Sequence, residues 1–354
     1  MNINNLPPEV SRVEVNASKK YDVIIGSGIL PQCGALTAQI KSPCKAVIVS
    51  DDIVYSIYGE TVSASFKEAG FSVVNYIFQN GEKSKSTETL VGLLEFLAGE
   101  GFSKSDLIIA LGGGVVGDLA GFAAAVYLRG VSYAQIPTTF LAAIDSSVGG
   151  KTAVNLKAGK NLAGAFHQPI AVFCDTDTFK TLPEDVFADG ICEAVKYGAI
   201  RDKELFDTLL TKDINQNLIE IINTCVTIKR DLVEEDEFDA GARQLLNFGH
   251  TAGHAIEALS GYEISHGRAV AMGMYIMANA TDKAQGELIA KALDRYDIDI
   301  KCPFDAKQLA QQAMSDKKRK TDNITLVFLE EIGNAYLKTV KIDELEDIFK
   351  RGLI

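Results

Sequence analysis

Three of the chain's four histidines fall within residues 250–266. His250 and His254 stand four apart in NFGHTAGHAIEAL, which puts both imidazoles on one face of a helix. His266 follows the turn SGYEIS, at the expected start of the next helix. Two helices meeting at a short turn can bring three imidazoles together, and a catalytic Zn²⁺ takes three protein ligands while keeping one position open. Position 251 is Thr, so the pattern is not H-E-x-x-H, and a zinc-peptidase reading loses its general base. A carboxylate could complete the set. Glu193, in EDVFADGICEAVKYG, is the best placed by sequence, with Lys196 one turn on.

A second constellation is the run Gly112, Gly114 and Gly117, which satisfies G-x-G-x-x-G after the apolar strand DLIIAL and at the opening of a helix. Bare backbone there admits a pyrophosphate, and a helix N-terminus supplies N–H groups and positive dipole. The acidic residue that usually follows about 20 residues later is absent, since that stretch reads Gln135-Ile136-Pro137-Thr138-Thr139. The loop therefore suits a dinucleotide or phosphate bound in an unusual variant, or else a tight strand–helix turn. Farther along, residues 135–169 carry Asp145, Lys151, Lys160 and Asn161 among small and apolar neighbours, the composition of loops folded against a ligand. Lys229 and Arg243 flank the acidic run EEDEFD, and Arg243 lies seven before His250, which predicts a shared helix face. Several cations aimed at one cleft suit a substrate carrying carboxylate and phosphate. The KKRK run at 317–320, taken alone, reads as a solvated patch.

The elements that must hold these groups are legible as two regimes. Strands rich in Val and Ile (12–16, 20–25, 46–50, 71–78, 106–111, 131–136) alternate with helical stretches (55–69, 87–100, 115–128), the pattern of βαβ units and a parallel sheet. From Leu182 the chain runs helix after helix (184–199, 202–211, 214–235, 241–260, 266–287), with no strand until 324–329. The expectation is a Rossmann-like α/β domain over 1–181 and a mostly α-helical domain over 182–354, with the active site in the cleft between them.

Composition narrows the function classes. The 354 residues include 35 Lys and Arg against 47 Asp and Glu, a net charge of −12, which argues against a nucleic-acid or anionic-membrane partner. Residues 107–128 are long enough to cross a bilayer, but the three glycines and Asp118 argue against a span. Six cysteines without a C-x-x-C do not form a disulfide framework or a cysteine zinc site. MNINNLPPEV lacks the basic-then-apolar run of a signal peptide. A cytoplasmic location is expected.

Taken in order, GEKSK (81–85), GGGVVGD (112–118), YLRG (127–130), IPTTFLAAIDSSVGGKTAVN (136–155), GKNLAGAFHQP (159–169), EAVKYG (193–198), RQLLNFGHTAGHAIE (243–257) and SHGRAVAMGM (265–274) resemble the 3-dehydroquinate synthase family of sugar-phosphate cyclases. The resemblance implies an NAD⁺- and Zn²⁺-dependent lyase, with Co²⁺ able to replace zinc, that converts 3-deoxy-D-arabino-heptulosonate 7-phosphate into 3-dehydroquinate and phosphate in the shikimate pathway. Oxidation at C5 would acidify the neighbouring C–H, phosphate would leave by β-elimination, the hydride would return, and ring opening with aldol closure would follow. The substrate's own phosphate would assist proton removal.

By motif match the metal ligands would be Glu193, His250 and His266, and His254 would become a substrate-site group. NAD⁺ contacts would fall on Asp51, Glu82, Lys85, Gly113, Gly114, Val115, Asp118, Thr138, Thr139, Phe179 and Thr181, together with Asp145, Lys151 and Lys160. Substrate contacts would be Asp145, Lys151, Lys160, Asn161, Lys196, Lys229, Arg243, Asn247 and Lys317. The family is dimeric, and Arg129 would reach the neighbouring subunit's phosphate site. One departure is Arg268, where the family usually carries Glu. Two rivals share parts of the pattern: a related cyclase making another carbocycle, and a metal-dependent NAD⁺ alcohol dehydrogenase.

Overall fold

In a computed structural model, the chain is described over residues 9–316 and 322–354. It divides into two compact units, one of Met1–Leu182 with Lys229–Phe238 and the other of Pro183–Ile228 with Asp239–Ile354.

The first unit is built on a seven-stranded sheet. Its strands are β1 (Ser11–Asn16), β2 (Lys20–Gly26), β3 (Lys45–Asp51), β4 (Ser72–Phe78), β5 (Leu107–Gly112), β6 (Ser132–Pro137) and, after the separate hairpin β7 (Lys151–Leu156) and β8 (Gly159–Phe166), β9 (Ala171–Asp175). The order is β1-β2-β9-β6-β5-β3-β4, parallel except for the antiparallel edge pair β1–β2. Alternate residues of the central strands feed two cores. Ala46, Ile48, Leu107 and Ile109 enter one, whereas Val47, Val49, Ile108 and Ala110 enter the other. A strand buried on both faces cannot alternate apolar with polar residues, so β5 reads LIIALG and every residue of it is buried.

The chain passes from β3 outward to β4, returns to β5 on the other side of β3, and continues to β6. Strand order therefore reverses between β3 and β5, and open α/β sheets take ligands outside the carboxyl ends of the strands at such a point. Asp51 ends β3 and Gly112 ends β5.

Residues 229–238, expected within the second domain, pack with the first unit. Asn16 N donates to Glu234 (2.6 Å), while Ser18 N (2.8 Å) and Gln168 Nε2 (2.8 Å) donate to Glu237. Among its described residues, the second unit is helical apart from the antiparallel hairpin β10 (Asn323–Glu331) and β11 (Asn334–Lys341).

Several expected elements need correction. Residues 151–166, expected as loops, form the β7–β8 hairpin, which places Lys151, Lys160 and Asn161 on strands. The helix expected over 241–260 is a 3₁₀ segment, Ala242–Asn247, followed by an α-helix from His250. Gly249, at φ 77°, separates them. Arg243 thus does not share a helix with His250. The helix expected over 266–287 is two, His266–Thr281 and Lys283–Asp294, and Asp282 caps the second by accepting from Ala284 N. A polar residue that caps one helix ends its predecessor, which the apolar periodicity alone does not reveal. Among the described residues no helix is long and apolar enough to cross a membrane.

Candidate active site

Helix α1 (Gly114–Val126) starts directly after β5, with Gly113 as its N-cap in extended conformation. A Cβ at Gly113 would lie 3.0 Å from Thr139 Cγ2, and one at Gly114 3.3 Å from Ser146 Oγ. A side chain at either position would crowd Thr139 or Ser146, and glycine leaves the backbone bare, so the loop fits a pyrophosphate. Thr138 N donates to Gly112 O (3.0 Å), tying the β6 loop to the β5 loop. Thr138 is buried, and its hydroxyl meets no hydrogen-bond partner among the described residues. Val115 continues the first turn of α1. Asp51 is 4% exposed and accepts from Val54 N (2.9 Å). It is a carboxylate beside the glycine loop through strand adjacency (β3–β5), although it precedes that loop in sequence. Phe179 packs on Phe140 with ring centroids 5.9 Å apart, and Thr181 Oγ1 lies 2.7 Å from Tyr58 OH.

A polar network extends from this loop. Buried Lys85 pairs with Asp118 on α1 and donates to Asn161 Oδ1 (2.6 Å). Burial pushes the Asp118 carboxyl up, and Lys85 opposes that shift. Asn155 donates to Glu82 Oε1 (2.7 Å) and accepts from Asn161 N (2.9 Å), which holds Asn161 at φ 57°. Asp145, in the π-helical segment Ala142–Ser146, pairs with buried Lys229 through both its carboxylate and its carbonyl. Lys151 is exposed and Lys160 half-buried on the hairpin. Arg129 is exposed, at φ 62°.

In the second unit, Glu193 and Lys196 stand one turn apart on α2 (Glu184–Arg201), form an ion pair, and are 0% and 1% exposed. Helix α3 (His250–Leu259) carries His250 and His254, and α4 (His266–Thr281) begins with His266. These helices approach through glycine: a Cβ at Gly273 would lie 2.0 Å from Gly249 O, and one at Gly253 3.0 Å from Ala269 O. The approach puts the ring centroids of His250 and His266 5.3 Å apart, with His254 at 5.3 Å and 5.9 Å from them. Both Nε2 atoms face Glu193 Oε1, His250 at 3.7 Å and His266 at 3.5 Å.

The ligand atoms of Glu193, His250 and His266 all lie within 4.8 Å of one another. One carboxylate and two imidazoles around a common point fit a divalent cation of zinc type. Burial, with Lys196 adding to it, holds His250 well below the ordinary imidazole range. For His266 burial also disfavours the charge, but Glu193 and Glu257 outweigh it and push the imidazole up to about 10.

Arg243 is 2% exposed, whereas Asn247, at the end of the same 3₁₀ segment, and His254 are exposed. Lys317 lies outside the described residues. Two contributors were not among the expected site residues, although Glu257 closes the RQLLNFGHTAGHAIE run. Glu257 lies 3.1 Å from His266 Nδ1, and Asp189 accepts from Ser265 Oγ (2.6 Å) at the start of α4. Their spacing was available: Glu257 is seven residues after His250, and Asp189 four before Glu193.

A dinucleotide-type loop on a parallel sheet, together with a carboxylate and imidazole donor set among helices, defines a class of α/β-plus-helical enzymes. The comparisons narrow it. Residues 75–189 match the family description 3-dehydroquinate synthase N-terminal, and residues 190–319 match 3-dehydroquinate synthase C-terminal. The 3-dehydroquinate synthase of Clostridium acetobutylicum is 44% identical over 340 residues, covering 92% of this chain and 94% of its own. That of Streptococcus gordonii is 41% identical over 345 residues, covering 94% and 97%. Among solved structures, a 2-deoxy-scyllo-inosose synthase complexed with carbaglucose-6-phosphate, NAD⁺ and Co²⁺ is similar at 27% identity and a TM-score of 0.86, covering 97% of this chain and 100% of that one. The chain belongs to the 3-dehydroquinate synthase family.

Proposed function

We infer that the chain catalyses the 3-dehydroquinate synthase reaction, in which 3-deoxy-D-arabino-heptulosonate 7-phosphate yields 3-dehydroquinate and phosphate. The observation that carries this reading is the donor set of buried Glu193 with half-buried His250 and His266, beside Lys196, in a chain 44% identical to a named 3-dehydroquinate synthase. When bound, NAD⁺ supplies a hydride acceptor regenerated in each turnover, and Zn²⁺ or Co²⁺ supplies Lewis acidity. The 2-deoxy-scyllo-inosose synthase with NAD⁺ and Co²⁺ supports both cofactors.

Glu193, His250 and His266 would hold the cation. Gly113, Gly114 and Val115 would offer backbone N–H groups to the pyrophosphate, with Thr138 and Thr139 beside them. Asp51 would accept from a ribose hydroxyl. Glu82, Lys85, Asp118, Phe179 and Thr181 complete the nucleotide contacts. The first unit in this reading takes the dinucleotide and the second the cation.

The substrate carries a carboxylate and a phosphate, so its recognition needs cations fixed in place before it arrives. Lys196, Lys229 and Arg243 are all at most 5% exposed, which limits the side-chain entropy lost on binding and strengthens charge-assisted hydrogen bonds. These residues, with Asn247, His254 and Asp145, would hold the carboxylate and hydroxyls. Lys151, Lys160 and Asn161 would hold the phosphate. We extend the reading to a cytoplasmic homodimer in which exposed Arg129 reaches the partner's phosphate site.

The test is product identification by mass, comparing the heptulosonate phosphate with a hexose 6-phosphate that lacks the carboxylate. The expected result is 3-dehydroquinate from the first alone, and its loss by ~10²-fold or more in His250→Ala, because the two remaining ligands hold the cation too weakly to keep it in place. Carbocycle formation from the hexose phosphate would favour the related-cyclase reading.

A further inference from the structure

We infer that Glu257 is a positioning residue for the cation, fixing His266 in the tautomer whose Nε2 is the ligand atom. The inference rests on the metal reading above and concerns how one ligand is oriented. Glu257 is 4% exposed, and its Oε2 lies 3.1 Å from His266 Nδ1. It stands seven residues after His250 on α3, hence on the same face two turns along. A neutral imidazole has one N–H to donate. With a cation bound, that proton would stay on Nδ1, directed to Glu257, and the Nε2 lone pair would be left for the cation on the side of Glu193 Oε1, which lies 3.5 Å from Nε2.

His250 is oriented in the same sense by a different acceptor. Its Nδ1 lies 3.2 Å from Phe248 O, and its Nε2 faces Glu193. One ligand is thus backed by a neutral carbonyl and the other by a buried carboxylate. The difference matches their packing, since the His266 side chain is 35% exposed and that of His250 14%. A ring held weakly by packing gains most from a directional partner, and a carboxylate partner also makes the imidazole a more basic ligand.

A second set, His254, Glu257 and His266, also has ligand atoms within 4.8 Å of one another. If it held an ion, Glu257 would itself be a ligand, and His266 Nδ1 could not donate to it.

The experiment titrates Zn²⁺ into metal-free protein against a chromophoric chelator and records the visible spectrum of the Co²⁺ form. Glu257→Gln keeps the volume and an acceptor oxygen but removes the charge. The expected result is one ion per chain in both proteins, affinity weaker by about 10–100-fold in the variant, a shifted Co²⁺ band, and a metal-free variant that still melts in one cooperative transition, at a lower temperature because the His266 imidazolium has lost a carboxylate partner. If the Gln variant does not fold, Glu257→Asp, which keeps the charge on a shorter stem, is expected to bind with a smaller loss. Unchanged affinity and spectrum would overturn the inference, as would two ions per chain falling to one. His250→Ala separates the two levels: if it too left Zn²⁺ binding intact, the metal reading itself would fail.

Discussion

Glu193 has no exposed surface, and a lysine and two imidazoles surround its carboxylate. Removing the lysine breaks a buried pair and leaves the carboxylate in a low dielectric with the more exposed His266 as its remaining cationic neighbour. Lys196→Met, which keeps volume but not charge, is therefore expected to destabilise the metal-free protein by about 3–5 kcal/mol. Saturating Zn²⁺ should restore much of that, because the cation replaces the lost positive charge beside Glu193. Urea denaturation with and without Zn²⁺ reads both effects, and equal curves for variant and parent would contradict the electrostatic account. At this scale the histidine spacing made the convergence of His250, His254 and His266 legible. Glu257 and Asp189 were not legible as site residues, because a carboxylate that partners another side chain is recognised only by what it touches, even where, like Glu257, it falls inside a motif.

At the scale of elements, the donor set depends on two helices meeting at glycine. Gly249 starts α3 at φ 77°, and a Cβ there would lie 2.7 Å from Met274 N and 2.8 Å from Val270 O. Gly249→Ala is expected to cost roughly 1–3 kcal/mol for the left-handed conformation, with the collision adding to it. Zn²⁺ affinity should fall along with stability, since the helix that must shift carries His250. A variant with parental melting temperature and affinity would show that the helices have room to spare. The alternating strands of the first unit were readable because buried parallel strands are uninterrupted apolar runs. The β7–β8 hairpin was not, since GGKTAVNLKAGKNLAGAF is rich in the small and polar residues that also make loops. Asp51 shows a third kind of opacity. It neighbours the glycine loop through β3–β5 pairing, which spacing along the chain does not express.

At the scale of the whole molecule, stability carries a pH signature away from the site. His167 packs on Tyr133 with ring centroids 5.4 Å apart, and its Nε2 lies 2.9 Å from Val131 O. Burial pulls its imidazole below the ordinary value of 6.5. The unfolded chain then binds the proton more readily than the folded one, so stability is lost as pH falls through about 6.5 towards the lowered folded value. His167→Gln should flatten that part of the stability–pH curve relative to the parent, as read by urea midpoints between about pH 7 and 5. An unchanged slope would place the acid sensitivity elsewhere.

The central claim, that one chain uses a bound nucleotide and a bound cation to release phosphate without consuming the nucleotide, is tested most directly by one assay. Phosphate release from 3-deoxy-D-arabino-heptulosonate 7-phosphate is followed with trace NAD⁺, with and without a chelator, while NADH absorbance is recorded. The account predicts many phosphates released per NAD⁺, no accumulation of NADH, loss of activity on chelation and its return with Zn²⁺. Phosphate release that stops at one equivalent of NAD⁺, or NADH accumulating on simple polyols without phosphate release, would contradict it.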